Sequence, residues 1–291
     1  MSQFDYTTAF TRTVGWVTGD ELAKLREARI AIAGLGGVGG SHLLTLTRLG
    51  VGNFNLAEFD RFELHNFNRQ AGAFLHTIGQ PKIDVVADMA RAVNPELGLR
   101  LFPDGVSLEN LDQFLDGVDV YVDGIDYFAF DIRRAVFAAC RERGIPAITA
   151  APLGMGAALL VFMPTGMSFD DYFQLAGQSE SEQALRFLVG LGPALLHGSY
   201  LVDASRMRLG HRAGPSTPMA CELCAGIAAT EALKLLLGRG PIRAAPRGLH
   251  FDAYSGRLAK TWRPCGNRNP IQRLLLSAVR RRLSQSATAP N

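Results

Sequence analysis

The stretch Ile30-Ala31-Ile32-Ala33-Gly34-Leu35-Gly36-Gly37-Val38-Gly39 decides the fold. A short β-type run, Arg29–Ala33, flows straight into glycines, and Val38–Leu49 then carries a helix pattern stopped at Gly50. At such a junction the backbone can approach phosphate oxygens, and the next helix offers unpaired N–H groups and its positive dipole end. Gly34, Gly36, Gly37 and Gly39 are therefore candidate nucleotide-binding positions. Glycines alone do not choose among nucleotides. The alternating run Asn53–Phe59 predicts a second strand, and Glu58 and Asp60 close it about 20 residues after the last glycine. A carboxylate at that place can accept both ribose hydroxyls.

The residues that follow narrow the chemistry. Asn66-Phe67-Asn68-Arg69-Gln70 and then Lys82 crowd the segment behind the glycines. A bound dinucleotide needs few cations beyond the helix end, whereas a triphosphate under attack needs fixed positive charge. Arg69 offers a planar fork and Lys82 a point charge. Asn66, Asn68 and Gln70 add neutral donors. The block points to ATP chemistry rather than redox chemistry. Farther on, the apolar run Val118–Val122 ends at Asp123-Gly124-Ile125-Asp126. In an open parallel sheet that end faces the ligand crevice. Asp126 can hold Mg²⁺, which uses one or two carboxylates plus phosphates; Asp123 can instead cap the following turn.

The rest of the chain supplies a β-α-β-α rhythm. Asp20 is a candidate N-cap for a helix over Glu21–Ala28. Helical periodicity marks Gln80–Val93 and Ala129–Arg143, and strands are expected at Leu99–Phe102 and Pro146–Ala150. The fold class that follows is α/β, with a Rossmann-like, doubly wound, mainly parallel sheet. The rhythm breaks after the strand Ala157–Met163 into a long excursion, 164–217, with a helical stretch around Glu182–Leu196. Thr217-Pro218 then opens a helix to Leu237, closed by Gly238, and Gly248–Tyr254 with Arg257–Trp262 predicts antiparallel C-terminal strands. The loop Pro152–Gly156 can line the passage of an extended substrate tail or serve only as a turn. The segmentation is an arm and helix (1–28), a nucleotide-binding domain (29–265) and a basic tail helix (266–291).

Composition excludes several classes. Hydrophobic residues make up 47% and charged residues 20%, ordinary for a globular protein. A net charge of +3 is too small to argue for nucleic acid, and the run Arg280-Arg281-Arg282 reads as a solvated face. No apolar run is long enough for a membrane span, and no signal-peptide core opens the chain. The four cysteines form no disulfide framework, so a reducing cytoplasm is expected. Cys221-Glu222-Leu223-Cys224 is a C-x-x-C on the first turns of a helix, where a thiol's pKa is lowered. That leaves Cys221 as the candidate thiol nucleophile; the other reading is two small buried helix residues, with the mechanism stopping at adenylation. Four ligands for zinc are lacking, and no zinc site is expected.

In order and spacing these blocks resemble the ThiF/MoeB/HesA family of ubiquitin-activating-type adenylyltransferases, from about Phe10 to Trp262. The resemblance implies ATP-dependent activation of a carboxylate as an acyl-adenylate, with pyrophosphate released. The carboxylate would belong to a ubiquitin-like or sulfur-carrier-like protein, a peptide or a small molecule. It further implies that Glu58 holds the ribose, that Asn66, Arg69 and Lys82 hold phosphates, and that Asp126 holds Mg²⁺. Arg12 matches an arginine that reaches across a homodimer into the partner's site, and the excursion matches a substrate-guiding segment. This chain departs from the family pattern in having Glu58 where Asp is usual, Tyr127 where Asn follows the metal-binding Asp, and no paired zinc cysteines beyond Cys221, Cys224 and Cys265. Two other readings stay open: a non-catalytic subunit of an activating complex, and an NAD(P)-dependent oxidoreductase using the same glycines.

Overall fold

The computed structural model describes residues 4–203 and 214–288, with side chains through Arg282. One eight-stranded sheet organises them, in the order β3-β2-β1-β4-β5-β6-β7-β8. The strands are β1 (Arg29–Ala33), β2 (Asn53–Ala57), β3 (Gly98–Phe102), β4 (Val120–Asp123), β5 (Ala147–Leu153), β6 (Gly156–Phe162), β7 (Arg247–Asp252) and β8 (Arg257–Trp262). The first five run parallel and the last three antiparallel. The expected doubly wound sheet with antiparallel C-terminal strands is therefore the observed one.

Helices cover both faces. In chain order they are α1 (Tyr6–Ala9), α2 (Gly19–Glu27), α3 (Gly37–Leu49), α4 (Lys82–Val93), α5 (Leu111–Phe114), α6 (Phe130–Glu142), α7 (Phe169–Phe173), α8 (Glu180–Leu191), α9 (Pro218–Leu237) and α10 (Pro270–Thr288). Strand alternation splits the core in two. Ile30 and Ile32 pack with Leu43, Leu46, Cys224 and Ala228 on the α3/α9 face. Ala31 and Ala33 pack with Tyr121, Phe137 and Phe187 on the α6/α8 face. A parallel strand buried on both sides reads as continuously apolar, which is why β1 shows no polar alternation.

Several local expectations shift. The α2 N-cap is Thr18, not Asp20: its hydroxyl accepts from Glu21 N while Glu21 accepts from Thr18 N, a closed capping box. Asp20 lies inside the first turn, where a carboxylate favours the helix dipole. Strand β2 ends at Ala57, leaving Glu58 in the turn beyond it. Pro152 and Leu153 belong to β5, so the expected loop shrinks to a hairpin turn at Gly154-Met155. Thr217 does precede α9, but its hydroxyl donates to Gly154 O and makes no capping bond. The aromatics Phe169, Tyr172 and Phe173 of the excursion are buried. The tail helix α10 docks on α8 through Leu276, Leu185 and Val189, and Arg280 ion-pairs with Glu182 at 2.8 Å. That arginine is therefore paired, not merely solvated.

Candidate nucleotide site

The crevice opens where the strand order reverses, between β1 and β4, with α3 leaving toward one face and α6 toward the other. The glycines divide their work. A Cβ on Gly39 would sit 1.8 Å from Gly34 O, and one on Gly34, whose φ is +81°, would sit 2.1 Å from Gly124 O. These two glycines let the loop, the α3 start and the β4 end pack backbone to backbone. At Gly36 the nearest atom to such a Cβ is Gln70 Nε2 at 3.7 Å. That side of the loop is open.

Arg69 and Cys221 come together at Gly37. The Arg69 methylenes lie 3.4 and 3.5 Å, and Cys221 Sγ 3.1 Å, from the place of a Gly37 Cβ. Arg69 is held there by bonds to His65 O at 3.2 Å and Asn68 Oδ1 at 2.9 Å. Asn68 in turn donates to Ser216 O at 3.0 Å, tying this segment to the residues before α9. Gln70 is buried, and its Oε1 finds no partner among the described residues. A buried acceptor left unpaired costs free energy unless a ligand or water meets it.

The carboxylates behave differently from one another. Glu58 is buried and accepts three backbone N–H groups, from Leu35 at 2.8 Å and from Phe59 and Asp60 at 2.9 Å each. Its first role is thus to shape the glycine loop and its own turn. Asp60, expected at the ribose, accepts from Lys82 Nζ at 3.0 Å. Lys82 is buried at the start of α4 and Asp60 is half exposed, so the pair is fixed from the lysine side. Asn66 is also buried, and its Oδ1 is spent on Glu63 N at 2.9 Å.

Asp126 is exposed beyond β4, with Oδ2 accepting from Phe128 N. No hydrogen bond or ion pair joins it to Arg69, Lys82 or Glu58 among the described residues. A single outward carboxylate fits Mg²⁺ shared with phosphates and water, and not a closed protein cage. No cluster of three metal-ligating side chains occurs among the described residues. Arg12 is exposed on the turn Thr11–Thr13, and no hydrogen bond or ion pair joins it to the groups above among the described residues.

Cys221 sits in surroundings that disfavour a thiolate. Its thiol is 1% exposed, and burial pushes its pKa up despite the opposing pull of a Ser216 hydrogen bond and the Arg69 charge. Desolvation outweighs the helix end that was expected to lower it. Cys224 is fully buried and pushed up further.

Sequence reasoning missed Arg133. Its guanidinium, 2% exposed, bonds Asp123 Oδ2 through Nε at 3.0 Å and donates to the carbonyls of Ile125, Asp126 and Tyr127. Asp123 also accepts from Thr149 Oγ1 and Ile125 N. The loop that presents Asp126 is therefore held from below by one buried cation. A basic residue inside an otherwise apolar helical face was the available signal.

A glycine loop at a topological switch point, with Arg69 and the Gln70 amide beside it, defines a nucleotide-binding α/β protein. The chain belongs to the ThiF family, whose model matches residues 10–273. It is 34% identical over 153 residues to the tRNA threonylcarbamoyladenosine dehydratase of Bacillus subtilis, covering 51% of this chain and 57% of that protein. It is 27% identical over 234 residues to ubiquitin-like modifier-activating enzyme 5 of Gallus gallus, covering 75% and 53%. With 37% identity to the Haemophilus influenzae dehydratase over 38% of its length, the chain spans from over a third to somewhat over half of these relatives. Among solved structures, PaaA superposes with a TM-score of 0.67 at 17% identity, covering 90% of this chain and 76% of PaaA. Escherichia coli tRNA N6-threonylcarbamoyladenosine dehydratase in complex with ATP gives 0.59 at 23%, covering 80% and 95%. At those identities the likeness carries the fold.

Proposed function

We propose that the chain is an ATP-dependent adenylyltransferase that activates a carboxylate. The observation that carries this reading is the Arg69 side chain lying over Gly37, beside the open side of the loop at Gly36. A bound dinucleotide already meets its pyrophosphate with the loop and the helix end and needs few further cations. Phosphoryl chemistry needs preorganised positive charge that costs no reorganisation during reaction.

In this reading the α3 N-terminus and the loop N–H groups hold phosphate oxygens, with Arg69 and Lys82 offsetting their charge. Glu58 has lone pairs left after its three backbone bonds, and these accept from the ribose. Gln70 Oε1 meets a nucleotide donor. Asp126 binds Mg²⁺, which supplies charge neutralisation across the phosphates. A substrate carboxylate oxygen attacks the α-phosphorus, the bond from that phosphorus to the bridging oxygen breaks, and pyrophosphate leaves with the electron pair. The product is an acyl-adenylate, open to an external or intramolecular nucleophile without a protein thioester, given the buried Cys221 thiol.

The reading includes a homodimer. Trp16, Phe59, Leu64 and Leu75 expose large apolar side chains on the arm and the β2–α4 connection, which a second copy would bury. A second copy covering them would bring Arg12 to the neighbouring site. ATP–pyrophosphate exchange across a panel of peptide, protein and nucleoside carboxylates is the test. Arg69→Ala and Lys82→Ala should each lower exchange by about 10²–10³-fold. Nicotinamide binding without exchange on any carboxylate would return the oxidoreductase reading; nucleotide binding alone would return the non-catalytic subunit.

A further inference from the structure

Charge in this chain is sharply partitioned. Residues 241–291 hold ten Lys and Arg and one carboxylate, Asp252, giving +9, whereas residues 1–240 carry −6. Asp252 is fully buried, with its carboxylate accepting from Tyr200 and Ser255. Three of these ten basic residues lie on the outermost strand, β8, and its neighbour β7. Arg247 on β7 faces Trp262 across the ladder, and Arg257 and Lys260 lie on β8 itself. All three are exposed, and among the described residues none has an ion-pair partner.

The strand is also open. β8 pairs only with β7, so its outer row of N–H and C=O groups has no strand partner among the described residues. Its Leu258, Lys260 and Trp262 share one face, with Leu258 56% and Trp262 61% exposed. The opposite residues of β7, Leu249 and Phe251, are half buried, so the helical cover of that face stops one strand short. Natural edge strands are usually shortened, twisted or covered, because a bare edge recruits another chain. Here the lysine and arginines discourage pairing with a second basic β8, but they suit an acidic strand.

We propose that β8 is the docking edge for an extended acidic polypeptide segment, which adds as a ninth strand. Backbone pairing supplies affinity, Leu258 and Trp262 take alternate apolar side chains, and Arg257, Lys260 and Arg247 select carboxylates. An RNA phosphate track would use the charge but leave the free carbonyls and the Leu258 surface without partners. The inference names a partner class for the adenylation reading and rests on it for the link to a substrate. The edge lies five strand spacings from β1, roughly 24 Å, so docking there leaves the crevice free.

Fluorescence anisotropy on the full chain tests it without any turnover. The probes are a labelled dodecapeptide repeating Val-Glu-Glu-Glu (the Glu–Val peptide), its Lys-for-Glu counterpart (the Lys–Val peptide), a copy backbone-N-methylated at alternate residues, and a twelve-nucleotide oligouridylate. That repeat alternates Val and Glu on the face of Leu258, Lys260 and Trp262 and presents Glu to Arg257 on the other. The Glu–Val peptide should bind, the Lys–Val peptide should not, and N-methylation should abolish binding. Arg257→Glu with Lys260→Glu should weaken the Glu–Val peptide by about tenfold or more, because two attractions become repulsions. Unchanged circular dichroism and unchanged ATP–pyrophosphate exchange in that variant separate this site from the crevice. No binding of the Glu–Val peptide, equal binding of the N-methylated copy, or charge-reversal loss confined to the oligouridylate would each overturn the proposal. Loss of exchange in wild type with peptide binding retained would instead sink the adenylation reading and leave the docking edge standing.

Discussion

Replacing Arg133 by Met removes the one buried cation under the loop that presents Asp126. Asp123 is 4% exposed, and its carboxylate would keep Thr149 and Ile125 as donors but lose its countercharge. Breaking a buried pair from one side costs roughly 3–5 kcal/mol, because an uncompensated charge is left behind. Three carbonyls, of Ile125, Asp126 and Tyr127, lose their donor in the same step. With a urea slope of about 3 kcal/mol/M, the unfolding midpoint should fall by roughly 1–1.7 M. Arg133→Met combined with Asp123→Asn removes both charges and should recover more than half of that loss. It should not recover ATP–pyrophosphate exchange, since the carbonyls stay unheld and Asp126 is no longer positioned. Urea titration followed by circular dichroism reads the first effect, and exchange in the folded double variant reads the second. A single variant that loses less than about 1 kcal/mol would refute the account of Arg133 as the buried countercharge. Full exchange in the double variant would refute its positioning role.

Three further outcomes follow from named contacts. Gly39→Ala should cripple folding, since its Cβ meets Gly34 O at 1.8 Å, whereas Gly37→Ala, facing the movable Cys221 Sγ at 3.1 Å, should fold and lose nucleotide affinity; thermal unfolding and ATP titration separate the two. His42 is fully buried with both ring nitrogens unpartnered, and burial lowers its pKa to about 4, below the unfolded value near 6.5. Its contribution is complete above pH 6.5 and is lost as pH falls toward 4, by roughly 3 kcal/mol, with His250 adding the same sign. His42→Leu should flatten the profile, and an unchanged urea midpoint series from pH 7 to 4 in wild type would count against it. Arg12→Ala and Lys82→Ala proteins, each low in exchange alone, should regain activity when mixed if Arg12 serves the neighbouring site, and should stay additive if it does not.

Local chemistry made much of this protein legible in its sequence. The glycine junction, the strand end at Asp123 and the Thr217-Pro218 helix start are short-range patterns, set by φ/ψ limits, dipoles and apolar period. They sufficed for the strand–helix order, the antiparallel C-terminal strands and the position of the crevice. Cap identity was less secure, because Asp20 and Thr18 are both good caps and only the reciprocal Glu21 bond selects Thr18.

Tertiary structure alone decided what each site residue faces. Asp60 meets Lys82 across 22 positions, Arg69 and Cys221 meet at Gly37 from segments 152 residues apart, and Arg133 reaches back under β4. Such pairings depend on where the parallel crossovers return the chain, a long-range packing outcome that no local window encodes. The same holds for Cys221: its position at a helix start was readable, but the desolvation that raises its pKa exists only once the loop and the residues before α9 close over it.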